Sequence, residues 1–344
     1  MAQAERTAHD HIMALTEAME PQLRYNPSED FSLWQKKARE KLGELLGGPF
    51  AKPKEDLFVI NNTKERDGFA FTYFSFQSEE GYIVPACLVR SKDTEGKTPL
   101  CLCLQGHSSG MHVSLGEQHY ERDAVSLVHS NFAIQAAKNG MTAIVIEQRY
   151  MGTRGFPGRP LPACNACTGY DDANQAMSAL LIGRTAIGER VWDAMATLDI
   201  AEKYFSDLYN KDKIMCIGNS GGGTATYYTA CMDERVSLAV PSCGVCEYED
   251  SIMSINHCPC NFVPNVRKYF RMGDLAGLIA PRNLAIVCGD VDDIFPLFGV
   301  EKSFSYAKSV YESIGKQDNC RLIVGKGGHR FYPDDAWPVI RQFI

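Results

Sequence analysis

Lys213-Ile-Met-Cys-Ile-Gly-Asn-Ser-Gly-Gly-Gly-Thr224 is the stretch from which the fold can be read. Ile214 to Ile217 is a short apolar run, the pattern of a buried strand. Gly218-Asn219-Ser220-Gly221-Gly222 follows at once, and Thr224 to Met232 reads as a helix of small and aromatic residues. Strand, then G-x-S-x-G, then helix is the context of a nucleophile elbow. The serine of such a turn sits in a strained conformation, so the residues two positions away on either side must lack side chains. Gly218 and Gly222 fill those positions. The turn lifts the Ser220 hydroxyl off the sheet and sets the Gly221 N–H at a helix start, where a developing oxyanion can bind. G-x-S-x-G alone also occurs in glycine-rich turns without chemistry. The flanking strand and helix favour catalysis, which then demands an acid and a base further along the chain.

The composition permits this. The chain has 344 residues, 45% hydrophobic and 22% charged, as in ordinary globular proteins. Its net charge of -7 and the lack of a basic cluster argue against a nucleic-acid partner. No basic-then-apolar leader opens the sequence, and no apolar stretch approaches the roughly 18 residues of a membrane span. The expectation is a cytoplasmic protein with no membrane partner. Its thirteen cysteines are then mostly reduced thiols. Cys101, Cys103, Cys216 and Cys288 lie inside apolar strands, where a thiol packs as a small hydrophobe. Cys164 with Cys167, and Cys243 with Cys246, have C-x-x-C spacing, and Cys258 and Cys260 follow His257. The two pairs fall in different loops and lack zinc-ribbon spacing, so no metal and no cofactor are expected.

Residues 5 to 48 carry apolar residues at helical spacing, broken at Pro21 and Pro27 and ended by Gly47-Gly48-Pro49. They read as a helical extension, residues 1–56, packed on a main domain of 57–344. Strands follow at Phe69–Phe76, Ile83–Val89, Leu100–Leu104, Thr142–Ile146, Ile214–Ile217, Val236–Val240, Asn283–Val287 and Arg321–Val324. Helices are expected at Phe132–Lys138, Ala186–Tyr204, Thr224–Met232, Lys302–Ile314 and from about Asp334 onward. Apolar-through strands alternating with helices predict an α/β fold, a mostly parallel central sheet with helices on both faces. Ligands in such sheets bind at the carboxyl ends of strands.

Two further loops at strand ends supply the missing chemistry. Gly289-Asp290-Val-Asp292-Asp293 follows one strand and offers the acid. A calcium loop is the competing reading, but its glycine-bearing continuation is absent. Gly325-Lys-Gly-Gly-His329 follows the last strand and offers the base. Serine, then aspartate, then His329 is the chain order of one known class of catalytic triad. His329 would take the Ser220 proton as the hydroxyl attacks a carbonyl carbon, an acyl-enzyme would form, and water would release it. Gly221 and the loop after Leu104 would hold the oxyanion, through the His107 N–H or, failing that, Ser108.

At these residues the chain resembles the α/β-hydrolase superfamily. More narrowly it is similar to acetyl xylan esterase and cephalosporin-C deacetylase-like esterases, near the dienelactone hydrolase branch, over roughly residues 57–344. The G-x-x-D-x-x-x-P signature of those enzymes is matched by Gly289, Asp292 and Pro296, which singles out Asp292. Their D-x-R-G-x-G segment has a weak counterpart in Glu147-Gln-Arg149-Tyr-Met-Gly152, and their helical R-x-x-D in Arg190 and Asp193. The latter two read as a structural pair bracing the elbow. Three features depart from the family: Gln105-Gly106-His107 replaces His-Gly-x, Ser220 stands where dienelactone hydrolases have cysteine, and 152–183 looks like an insertion near the active site. The resemblance implies a serine carboxylic-ester hydrolase acting on small acetylated carbohydrates such as xylo-oligosaccharides. A peptidase or acyl transferase of the same fold, and a non-catalytic α/β-hydrolase-like protein, are the competing functions. A homo-oligomer is left open.

Overall fold

The computed structural model describes residues 7–155 and 170–344. Nine strands form one sheet: β1 (Phe58–Arg66), β2 (Phe69–Glu79), β3 (Tyr82–Ser91), β4 (Thr98–Leu104), β5 (Thr142–Ile146), β6 (Tyr209–Asn219), β7 (Leu238–Ser242), β8 (Asn283–Gly289) and β9 (Cys320–Gly325). Their order is β1-β2-β3-β5-β4-β6-β7-β8-β9. The first three strands form an antiparallel meander that joins β5 antiparallel, and β5 through β9 run parallel. This is the expected mostly parallel sheet. The strand not singled out in the sequence is β1, whose Asn-, Lys- and Glu-bearing run is almost wholly exposed. A solvated edge strand has no apolar face to betray it.

Alternation along the parallel strands divides the interior into two cores. Leu100, Leu102 and Leu104 face one side of β4, and Cys101 and Cys103 the other. The same switch separates Leu284 and Ile286 from Ala285 and Val287 on β8. Each face therefore needs its own helical cover. The helices Ala186–Tyr204 and Gly221–Met232 cover the first, and Phe132–Lys138 and Pro333–Ile340 the second. A buried leucine contributes about 1.5–3 kcal/mol relative to an exposed one, so the core-facing residues on both faces fix the register.

The N-terminal stretch forms the helices Ala8–Glu17 and Phe31–Leu45. Trp34, Ala38 and Leu42 of the second are buried in the first core. Gln35 donates to the Gly277 carbonyl at 2.7 Å and Arg39 to that of Cys231 at 3.0 Å. Cys231 lies at the far end of the Gly221–Met232 helix from Ser220, about 16 Å away at 1.5 Å per residue. The second helix therefore supports the tail of the elbow helix instead of roofing the serine. Of the 152–183 stretch, the turn Gly152–Arg154 and the helix Tyr170–Leu181 are described. Cys164 and Cys167 lie outside the described residues.

Candidate active site

Ser220 joins β6 to the helix Gly221–Met232 with φ 58° and ψ −126°. A non-glycine residue held there costs on the order of 1–3 kcal/mol, a cost borne only where surrounding structure imposes it. The flanking glycines impose it by close approach. A Cβ on Gly218 would lie 2.4 Å from the carbonyl oxygens of Gly222 and Leu104, and one on Gly222 would lie 2.0 Å from that of Leu104. The Ser220 N–H donates to the Ser242 carbonyl at 2.9 Å, tying the elbow to the end of β7. Gly221 is the first helical residue, so its amide has no intrahelical acceptor.

The loops carrying Asp292 and His329 leave the paired ends of β8 and β9, where Gly289 lies opposite Gly325. Nδ1 of His329 is 2.9 Å from Oδ2 of Asp292. Of the three neighbouring aspartates only Asp292 is buried; Asp290 accepts the Gly327 N–H at 2.8 Å and steadies the histidine loop. Burial alone would raise the Asp292 carboxyl. The His329 contact and the N–H groups of Ile294 and Phe295 outweigh it and hold the carboxyl below its usual range. Phe295 stacks on the His329 ring at 5.8 Å. Nε2 of His329 is buried without a hydrogen-bond partner among the described residues, and the Ser220 hydroxyl makes no hydrogen bond to it in this structure. Such bonds are often long before substrate binds.

Cys243 links the two halves. It follows Ser242 directly, has φ 43°, and places Sγ, an Asp292 oxygen and a His329 nitrogen all within 4.8 Å of one another. The elbow and the His–Asp pair therefore meet at the same end of β6 to β9.

The loop after β4 lies against the elbow. A Cβ on Gly106 would be 2.6 Å from the Asn219 carbonyl and 3.3 Å from Ser220 Cβ, and one on Gly221 would be 2.7 Å from Cε1 of His107. The His107 ring thus rests on Gly221, the residue directly after Ser220. Two buried carboxylates anchor the loop. Asp123 accepts from Ser109 and from the N–H groups of His119 and Tyr120, and lies 2.9 Å from Nε2 of His112. Despite burial, those contacts hold its carboxyl down to about 2.

Glu147 accepts the Met111 N–H and the Gln105 side-chain amide, each at 3.0 Å. Here burial wins and pushes the carboxyl up to about 8. The folded value exceeds the ordinary 4.5, so its contribution to stability is full below about 4.5 and is lost as pH rises toward about 8. Glu147→Gln, which stays neutral, is expected to flatten the fall in unfolding free energy over that window by a few kcal/mol. Urea titrations at pH 5 and pH 8 measure it; an unchanged slope would show that Glu147 ionises normally.

The Arg190–Asp193 pairing requires correction. No ion pair joins them among the described residues. Asp193 is held by Arg149 through two 2.9 Å contacts, by Arg154 at 2.7 Å and by Ser78 at 2.6 Å. Arg190 donates to the Arg149 carbonyl at 3.1 Å. Three positions on a helix bring two side chains to one side, but the arginines after β5 reach the carboxylate first.

The Abhydrolase family model matches residues 7–319. The chain belongs to that family. The match takes in both N-terminal helices, beyond the 57–344 span that motif resemblance covers. This Abhydrolase family member is 27% identical over 248 residues to a Bacillus subtilis (strain 168) protein described as "Putative hydrolase YtaP", covering 71% of this chain and 77% of the other. Its fold is similar to that of a "putative acetyl xylan esterase" from Bacteroides fragilis, at TM-score 0.76 and 16% identity, over 97% of this chain and 84% of that one. It is also similar to a glucuronoyl esterase from Solibacter usitatus, at TM-score 0.67 and 15% identity, over 90% of each chain. The protein is a hydrolase of the α/β-hydrolase fold. Among the described residues no helix is long and apolar enough to cross a membrane.

Proposed function

We propose that this hydrolase is a serine carboxylic-ester hydrolase that removes small acyl groups, foremost acetate, from acetylated carbohydrates such as xylo-oligosaccharides. Ser220 is the nucleophile, His329 the base and then the acid, and Asp292 the residue that orients His329 and stabilises its cation. The N–H groups of Gly221 and His107 receive the oxyanion. The observation that carries this reading is the strained Ser220 at the end of β6, together with the 2.9 Å contact between His329 and buried Asp292 two strands away. Residues 57–344 contribute every group named, while the helix Phe31–Leu45 buttresses the elbow helix from behind. A cytoplasmic setting suits buried thiols such as Cys87, Cys101 and Cys216, which pack in the apolar strands.

The carbohydrate part draws on the two structural relatives, whose names specify acetyl xylan and glucuronoyl esters. Short-chain p-nitrophenyl esters should be hydrolysed, with kcat/KM falling as the acyl chain lengthens. Acetate release from acetylated xylo-oligosaccharides should exceed cleavage of alkyl uronate esters and of peptides. Preference for a uronate ester would reassign the alcohol and acid sides of the substrate, and peptide cleavage alone would defeat the ester reading.

A further inference from the structure

Nε2 of His107 lies 3.5 Å from Sγ of Cys258 and 3.3 Å from Sγ of Cys260, and the two sulfurs are 3.0 Å apart. We propose that these three side chains are a binding site for a soft divalent cation of the zinc class, beside the oxyanion loop. Two thiols and an imidazole are the donor set that such an ion prefers over hard, oxygen-loving cations. A tetrahedral ion with metal–sulfur bonds of about 2.3 Å and metal–nitrogen bonds of about 2.0–2.1 Å spaces its ligand atoms about 3.6–3.8 Å apart. The three atoms need to spread by only a few tenths of an ångström to receive it, somewhat more between the sulfurs.

The local fold accounts for the convergence. Cys258-Pro259-Cys260 enters the short turn Pro259–Asn261, whose proline restricts the backbone between the two thiols. Both cysteines are buried in a small cluster with Ala176 and Ala186, so the sulfurs are shielded from bulk water. His107 reaches them from 151 residues upstream in the case of Cys258, with its ring seated on Gly221. His257, next in sequence to Cys258, turns elsewhere: its Nδ1 is 3.3 Å from the Asn261 amide and its ring packs edge-on against Phe295. A second grouping among the described residues, Cys243 with Asp292 and His329, is the His–Asp contact itself and is not proposed as a metal site. Binding at His107, Cys258 and Cys260 converts the two thiols to thiolates and releases their protons to water. It would fix the His107 loop against the elbow without the ion touching substrate. The expectation of no metal came from C-x-x-C spacing; these ligands come from C-x-C and a distant histidine.

The full chain, purified without a metal-affinity tag and kept reduced, is expected to retain about one zinc per chain by elemental analysis. Cobalt(II) in place of zinc should give a thiolate-to-cobalt charge-transfer band in the near ultraviolet. Cys258→Ser with Cys260→Ser should lose both the zinc and the band while keeping its far-ultraviolet dichroism. If that double variant does not fold, Cys258→Ser alone and a cobalt titration of the unmodified protein decide. No stoichiometric zinc or cobalt in folded, reduced protein would overturn the site, as would a band unchanged by the cysteine substitutions or a Cys258–Cys260 disulfide under the same reductant. None of these readouts uses ester hydrolysis, so the site and the esterase reading can fail separately.

Discussion

Ser220→Ala is expected to lower kcat for a short-chain ester by roughly 10⁴–10⁶-fold, with KM little changed. In the proposed mechanism the hydroxyl bonds to the acyl carbon, so its removal eliminates the acyl-enzyme. What remains is the rate supplied by binding and by the oxyanion amides. Those amides survive the change, because alanine can occupy the elbow at the same strained φ and ψ and Gly221 stays at the helix start. Adding His329→Ala should cost little more, since a base without its nucleophile has nothing to deprotonate. Steady-state kinetics on p-nitrophenyl acetate, with fluorophosphonate labelling of the unmodified protein, provide the check. Full activity in the alanine variant would remove Ser220 from the chemistry.

The elbow was legible because strain needs glycine. The close approaches around Ser220 leave no room for a Cβ at Gly218 or Gly222, so the backbone wrote its geometry into the residue types. The meeting of the Asp292 and His329 loops was legible for a related reason: glycine-bearing loops directly after apolar strands are where a parallel sheet presents side chains. Burial separates Asp292 from Asp290 and Asp293, and it follows from the β8–β9 pairing that brings His329 against the carboxyl, which three aspartates in four positions do not reveal. The supports of the oxyanion loop were missed altogether. Glu147 follows an apolar strand and looked like part of a weak motif; Asp123 lies in a polar stretch that resembles a solvated turn. Cys243 is grouped by C-x-x-C spacing with Cys246, yet its Sγ donates to the Arg330 carbonyl at 3.3 Å and lies within 4.8 Å of Asp292 and His329, through a backbone twist that cysteine rarely adopts. Spacing along the chain locates local turns, whereas these residues gain their roles from partners brought in by the sheet.

Asp193→Ala is expected to lower the unfolding free energy by about 3–5 kcal/mol. The Asp193 side chain is fully buried and faces Arg149 and Arg154, each only 5% exposed. Removing the carboxylate leaves Arg154 without that 2.7 Å partner and Arg149 with Glu79 and Glu189 alone. Burial by itself would raise the Asp193 carboxyl, but Arg154 and Arg149 outweigh it and hold it below its ordinary 3.8. A depressed folded value contributes stability that is present above the unfolded value and lost as pH falls through the folded one. The cost of the substitution should therefore hold from neutrality down to about pH 4 and shrink only in stronger acid, as urea unfolding at pH 7 and at about pH 2 would record. Replacing both Asp193 and Arg149 with methionine should cost less than Asp193→Ala if uncompensated charge dominates, and more if shape does. The network matters to the site through the segment after β5. Arg149 adjoins Gln148, whose amide donates to the Gln105 carbonyl at the root of the oxyanion loop. A variant that loses the predicted stability while leaving the KM and kcat of the surviving fold intact would show that this segment holds its place without Asp193. A fall in kcat of the folded fraction would extend the ion network's role to positioning the loop beside Ser220.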